Sequence, residues 1–262
     1  MSRQNYYKQR KLRQRRKVDE DLVAELVKRE RRLLPRLGVR KLHNILSEEL
    51  LEVGCAVGRD RFFEILRERH LLLEPLPRGP QTTNSRHSLP VYRNLIKDIE
   101  PSGPNQIWVS DITYIRTDVG FEYLALIMDL YSRKIVGLSC GDDLSANGPL
   151  KALNQALADL PEGCTPIHHS DRGSQYCSHA YAEWAEAHGL SMSMTEENHC
   201  AENSHAERLN GILKQEHGLG MTFRTRAQAR AAARQAATLY NNYRPHTSLN
   251  LRKPVEVHRE AA

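Results

Sequence analysis

The stretch QIWVSDITYIRTDVGFEYLALIMDLYSRKIVGLSCG, residues 106–141, decides the fold. Its first part, IWVSDITYIR, is dense in β-branched and aromatic residues and reads as a strand. FEYLALIMDLYS and RKIVGLSCG read as two more. The connections are only a few residues long, which suits an antiparallel meander.

Toward the C-terminus the texture alternates. ANGPLKALNQALADL reads as a helix with Ala152, Leu153, Ala156, Leu157 and Leu160 on one side. CTPIHHSD reads as a fourth strand ending in an Asp171-Arg172-Gly173 turn. HAYAEWAEAHG is a second helix closed by Gly189. LSMSMT is a short fifth strand, SHAERLNGILKQE a helix, and an alanine-rich helix runs from about Arg226 to Tyr243. Three strands, helix, strand, helix, strand, helices is the order of an α/β, RNase H-like domain, here spanning 106–262. No internal repeat and no low-complexity segment is visible.

Toward the N-terminus, residues 75–105 carry prolines at 75, 77, 80, 90, 101 and 104 and read as a linker, with PVYRNLI as a short extended element. Residues 18–74 read as helices. Val18, Leu22, Val23, Leu26 and Val27 recur at helical spacing, as do Val39, Leu42, Ile45, Leu46 and Leu50; Phe62, Phe63, Ile65 and Leu66 complete a small core. The short Gly54-to-Gly58 connection suits a helix-turn-helix-like domain. Its last helix would present Arg59, Asp60 and Arg61 to base edges in a major groove; the plainer alternative is a support module with solvated arginines. Residues 1–17 form a basic arm with eight Lys or Arg and no acid. Such an arm neutralises phosphates without reading sequence, or serves as a solubilising tail.

The net charge of +6 and a pI of about 9.1 favour a polyanionic partner. No apolar run reaches the roughly 18 residues of a membrane span, and no signal-peptide core is visible, so a soluble cytoplasmic protein without a membrane partner is expected. The five cysteines, at 55, 140, 164, 177 and 200, are odd in number and form no CxxC pair, which excludes a disulfide framework. His168-His169, His199-Cys200 and His205 match no structural zinc module.

Three acids carry the chemistry: Asp111 in the first strand, Asp171 after the fourth, and Glu207 in the SHAERLNGILKQE helix, with 35 residues between the last two. Carboxylates on rigid elements hold magnesium, which prefers oxygen ligands. Two such ions about 4 Å apart activate the attacking oxygen and stabilise the leaving oxygen at a phosphodiester. Like charges this close repel, so the site should be strained without metal. Each acid has a bland alternative. Asp111 could be a solvent-facing strand residue, although Trp108, Val109, Ile112 and Ile115 surround it. Asp171 could start a turn. Glu207 could close a capping box with Ser204. Three, four and seven residues beyond Glu207 stand Asn210, Gly211 and Lys214, on the same helix face. Lys214 is suited to a phosphate, or is an ordinary exposed lysine.

WVSDITYI, HSDRGSQY, SMTEENHCAENSHAERLNGILKQE and YNNYRPHTSL together resemble the DDE transposases of bacterial insertion sequences, related to retroviral integrases. More narrowly they resemble the second-frame product of two-frame elements. The resemblance covers nearly the whole chain. It implies Asp111, Asp171 and Glu207 as the metal-binding catalytic triad, and two magnesium ions, replaceable by manganese. The implied reaction is DNA cleavage at the element's ends followed by 3′-hydroxyl strand transfer. Tyr240, Tyr243, Arg244 and His246 would touch DNA or brace the site, making Arg59, Arg61, Lys214, Arg244 and His246 the expected DNA contacts. Implied partners are the terminal inverted repeats, target DNA, further copies of the chain, and an upstream-frame product joined by frameshifting. A nucleoid-associated location follows. The alternatives are an RNase H-like nuclease and a catalytically silent DNA-binding regulator.

Overall fold

A computed structural model describes residues 3–74, 89–196 and 202–261. The chain divides into two compact units, residues 1–77 and 78–262.

The first unit is helical: α1 (Arg3–Leu33), α2 (Val39–Glu52) and α3 (Arg59–Glu68). The basic arm is the opening of α1, continuous with the apolar pattern that follows. Arg, Lys and Gln are good helix formers, which permits this without an apolar face. Val23, Leu26, Val27, Leu42, Leu46, Leu50, Phe62, Ile65 and Leu66 make the core. Val18 and Phe63 were expected there but are exposed. Gly54, at φ 75°, takes the left-handed conformation that ends α2, and Gly58 is the N-cap of α3. Ion pairs Arg29–Glu49 (2.6 Å) and Arg69–Asp21 (2.6 Å) link α1 to α2 and α3.

The second unit holds a five-stranded sheet of order β3-β2-β1-β4-β5. The strands are β1 (Ile107–Thr117), β2 (Gly120–Asp129), β3 (Ile135–Gly141), β4 (Ile167–Ser170) and β5 (Ser191–Met194). The meander is antiparallel, and β4 and β5 add in parallel beside β1. Parallel strands need crossovers, supplied by α4 (Asn147–Ala158) and α5 (His179–Ala187). Beyond β5 come α6 (Ser204–Glu216), α7 (Arg226–Asn242) and a short α8 (Pro254–Glu260).

Strand alternation sorts the two faces. Ile107, Val109 and Ile115 of β1 pack with Leu209, Ile212 and Leu213 of α6 and with α7. Trp108 and Ile112 join Leu153 and Ala156 of α4 and Tyr181 and Ala185 of α5 on the opposite face. By parity Asp111 points with Val109 and Ile115, toward α6.

Residues 89–105, expected as linker, belong to this unit: Leu89 and Tyr92 pack on one face of the sheet and Ile96 on the other. The PVYRNLI segment is not a strand. It is tied to β5 by the Leu95 N–H on Ser193 Oγ at 2.9 Å. The rest of the expected linker, 75–88, lies outside the described residues, as do His199 and Cys200. Two side-chain amides cover the outer margin of β3. Asn241 bonds both the N–H and the C=O of Ile135 at 2.9 Å, and Gln155 accepts from the Leu138 N–H at 3.0 Å.

The turn from β2 to β3 is fixed by Asp129, which is fully buried. It accepts the Asn105 N–H (2.7 Å), the Ser132 N–H (2.8 Å) and the Ser132 hydroxyl (2.6 Å). Burial alone would raise its carboxyl, but hydrogen bonds from His258, Ser132 and Asn105 outweigh this and hold it below the usual range.

Candidate active site

The register of the parallel pair sets two of the three acids level. The last paired residues of β1 and β4 are Val109 and His169. Asp111 and Asp171 each stand two residues further on, across strands about 4.8 Å apart. Pairing with β4 stops at Val109, so from there until Phe223 pairs beside Thr117, β1 has β2 on one side and, among the described residues, an open margin on the other.

Helix α6 is pinned to β1 beside this margin at two points. Asn203, its N-cap residue, donates from Nδ2 to the Ser110 carbonyl at 3.0 Å. Asn210 donates from Nδ2 to Asp111 Oδ2 at 2.8 Å. Glu207 stands between them, four residues after the first and three before the second, on the same helix face. The capping box, the alternative role of Ser204 and Glu207, does not form. Asn203 takes the cap position, Ser204 becomes the first helical residue, and the helix has no side-chain cap hydrogen bond.

Asp111 is half-buried. Oδ1 accepts the N–H of Ile112 at 2.9 Å and Oδ2 accepts Asn210. Loss of solvent and the charge of Asp171 push its carboxyl up to about 7; the two hydrogen bonds oppose this and Glu207 adds to it. Asp171 starts the expected turn, its Oδ1 accepting the Gly173 N–H at 3.0 Å. The turn and site roles are therefore compatible, since the turn is what ends β4 at this position. The neighbouring Arg172 donates from Nε to the Thr195 carbonyl at 2.6 Å.

The three carboxylates share one region without closing on each other. Among the described residues no group of three or more His, Cys, Asp or Glu is close enough to hold one ion. Glu207 is exposed, and Asp111 carries repulsion from both partners. The donor set is oxygen throughout, and a half-buried carboxyl raised by two like charges gains from a cation. In chemistry these residues fit a hard divalent ion. His168 and His169 take no part. Burial pushes them down to about 3 and about 4, and they bond Ser110 and Tyr181, and Ser193, respectively.

The expected DNA contacts fall into three groups. Lys214 lies on the acid-bearing face of α6, with Nζ 4.4 Å from the centre of the Tyr114 ring; burial lowers its pKa while the charge of Asp111 opposes the shift. Arg59 is exposed at the start of α3 beside Asp60 (3.0 Å), but Arg61 is held by Glu20 (2.5 Å), Glu64 (3.0 Å) and Glu68 (3.3 Å). Arg244 is not placed to reach DNA. Its side chain is 3% exposed and grips Glu216 with two hydrogen bonds of 2.7 and 2.9 Å, bracing the end of α6 against the end of α7. His246 is half-buried in the turn after α7, with Nδ1 2.8 Å from Ser248 Oγ. Asn203 and Asn210 were not singled out for a role by the sequence. Their spacing about Glu207 was the available signal.

A sheet with three antiparallel and two parallel strands, one acid on its central strand, a second just past the end of the neighbouring parallel strand and a third on a covering helix, defines the integrase-core class. The family described as "Integrase core domain" matches residues 101–200 and again 188–254. A simian T-cell lymphotropic virus intasome, solved with a PP2A regulatory subunit, contains a chain of similar fold. It has a TM-score of 0.51 and 19% identity, with 83% of this chain and 73% of that chain covered. A 31 kDa protein of insertion element IS600 from Shigella sonnei is 37% identical over 253 residues, 95% of this chain and 92% of its own length. The transposase InsF of insertion sequence IS3A from Escherichia coli K12 is 35% identical over 204 residues, 77% of this chain and 71% of its own length. The chain belongs to the insertion-sequence transposase family built on an integrase core.

Proposed function

We infer that this transposase cleaves DNA at the ends of an insertion sequence and joins the freed 3′-hydroxyl to a target phosphodiester. The observation that carries the reading is the level placement of Asp111 and Asp171 across β1 and β4, beneath the helix that bears Glu207.

Asp111, Asp171 and Glu207 would hold magnesium, which supplies activation of the attacking oxygen and charge stabilisation of the leaving oxygen. Two ions are the expected number, with manganese able to substitute. Asn210 keeps Asp111 oriented and favours its charged form. Lys214 supplies positive charge to a phosphate on the same helix face. In the first step water attacks phosphorus and the bond to the 3′-oxygen breaks, leaving a 3′-hydroxyl and a 5′-phosphate. In the second, that hydroxyl attacks a target phosphodiester and expels another 3′-oxygen. No covalent protein–DNA intermediate is formed.

Arg59 and Arg61 of the helical unit belong to docking on the terminal repeats, together with the basic opening of α1. Arg61 must exchange its carboxylate partners for phosphate to take part. Pairing two ends calls for at least two protomers, and an upstream-frame product or frameshift fusion is the expected further partner. Among the described residues no helix is long and apolar enough to cross a membrane; a nucleoid-associated cytoplasmic location suits the reaction.

The test mixes purified protein, magnesium and labelled terminal-repeat DNA. Joined products are expected. Cleavage without joining would make the chain a plain nuclease of this fold. A metal-independent gel shift without products would make it a regulator.

A further inference from the structure

Three residues along β1 from Asp111, about 10 Å at strand rise, stands Tyr114; the odd offset turns it off the acid's face, and Lys214, which feels the charge of Asp111, joins the two. The tyrosine ring meets Phe121 of β2 edge to face at 5.3 Å, and Lys214 Nζ lies over it at 4.4 Å. Phe121 itself is 44% exposed, and Val119 at the hairpin tip is 63% exposed. The segment after α6 runs alongside this tip: the Phe223 N–H bonds the Arg116 carbonyl and the Asp118 N–H bonds the Phe223 carbonyl, both at 2.9 Å. That pairing brings Arg224 to the same place. Arg226 reaches it too, its guanidinium 3.7 Å from where a Cβ on Gly120 would stand.

Aromatic rings at an exposed hairpin tip are commonly a protein contact. Here the surroundings are cationic. Arg116, Lys214, Arg224 and Arg226 gather around the exposed Asp118 of the tip; Glu122 is buried and paired to Arg230 at 2.7 Å, and Asp142 pairs with Arg226 at 3.5 Å. Rings amid positive charge, beside carboxylates suited to a phosphodiester, match a single-stranded nucleic-acid surface, in which bases stack on aromatic faces and cations follow the backbone.

We propose that Tyr114 and Phe121 form a stacking platform for an unpaired base of the DNA strand whose phosphate lies at Asp111, with Lys214 charge-matching that strand. The proposal rests on the transposase reading and adds that the strand is frayed, not fully paired, beside the site. Stacking tolerates any base, so the platform would hold the strand without reading it.

The test uses the full chain without divalent metal, so that binding is read apart from chemistry. One DNA is a blunt duplex; the other carries a short single-stranded 3′ overhang with 2-aminopurine. Wild-type protein should prefer the overhang DNA and quench the 2-aminopurine. Phe121→Ala should lose roughly five- to 150-fold in affinity for the overhang DNA, the value of one base–aromatic stack, and keep its affinity for the blunt duplex. Phe121→Trp should retain both affinities and the quenching. Equal affinity of Phe121→Ala and wild type for the overhang DNA would overturn the platform, as would an equal loss on both DNAs. A changed oligomeric mass with unchanged DNA affinity would assign the tip to a second copy of the chain. Failure of the wild type to bind either DNA would overturn the transposase reading and the platform together.

Discussion

Asn210 and Asp111, 99 residues apart in sequence, are joined by a hydrogen bond of 2.8 Å from amide nitrogen to carboxylate oxygen. The orientation is dictated by charge: the opposite amide orientation would set oxygen against oxygen. This bond favours the ionised form of a carboxyl that burial and two like charges nonetheless raise to about 7. Asn210→Leu removes the donor and leaves the shape. The acid limb of the cleavage pH profile should move upward by roughly one to two pH units, the worth of a hydrogen bond to a charged group. A loss of rate with an unmoved limb would reduce Asn210 to a packing role.

Asp171→Asn keeps the turn's hydrogen-bond acceptor but removes a charge from the site. Cleavage and joining should fall by roughly a thousandfold or more, since several kcal/mol of charge stabilisation is lost. Gel-shift affinity for terminal-repeat DNA should stay within about twofold. Normal strand transfer by this variant would refute the site assignment.

The raised carboxyl of Asp111 also has a stability signature. A group whose folded pKa, here about 7, exceeds its unfolded value of 3.8 favours folding at low pH and loses that contribution as pH rises between the two. In metal-free protein, Asp111→Asn should therefore be more stable than wild type at pH 8, by roughly 1–4 kcal/mol, and similar to it at pH 3.5. Denaturant midpoints at both pH values measure this. A pH-independent difference would show that the carboxylate is not strained.

Arg244→Ala breaks a buried pair and strands Glu216, so the chain should lose roughly 3–5 kcal/mol of stability. The salt dependence of DNA binding should not change, because no phosphate contact is removed. A shallower slope of log affinity against log salt would return Arg244 to the DNA surface.

Gly137 lies where β3 meets α4. A Cβ there would stand 2.2 Å from the Ala152 carbonyl oxygen, a backbone atom with little room to yield. Gly137→Ala should cost about 1–3 kcal/mol or more, measured as a lowered Tm, with the DNA affinity of the folded fraction unchanged.

The sheet was legible because β-branched and aromatic residues mark β1 to β3 and because helix-period stripes separate the parallel strands. What sequence order could not supply was depth and partner choice. Phe62 and Phe63 are adjacent and equally apolar, yet helical phase buries the first and exposes the second. Arg244 reads as a basic residue in a polar motif, and its partner Glu216 stands 28 residues upstream. The Ser204–Glu207 spacing matched a capping box, but the helix begins one residue earlier, which carries the glutamate past the cap position. Asp111 was readable as an acid within the first strand and Asp171 as one at the end of the fourth. Their equal height depends on a register that only the paired backbone reveals.

The amides of Asn241 and Gln155 along the margin of β3 have a bearing on how copies of the chain coexist. A bare strand margin is a template on which another chain can polymerise. With the Ile135 and Leu138 amide protons already engaged, crowding of protomers on a nucleic acid need not end in cross-β growth, and assembly is left to surfaces that can let go again.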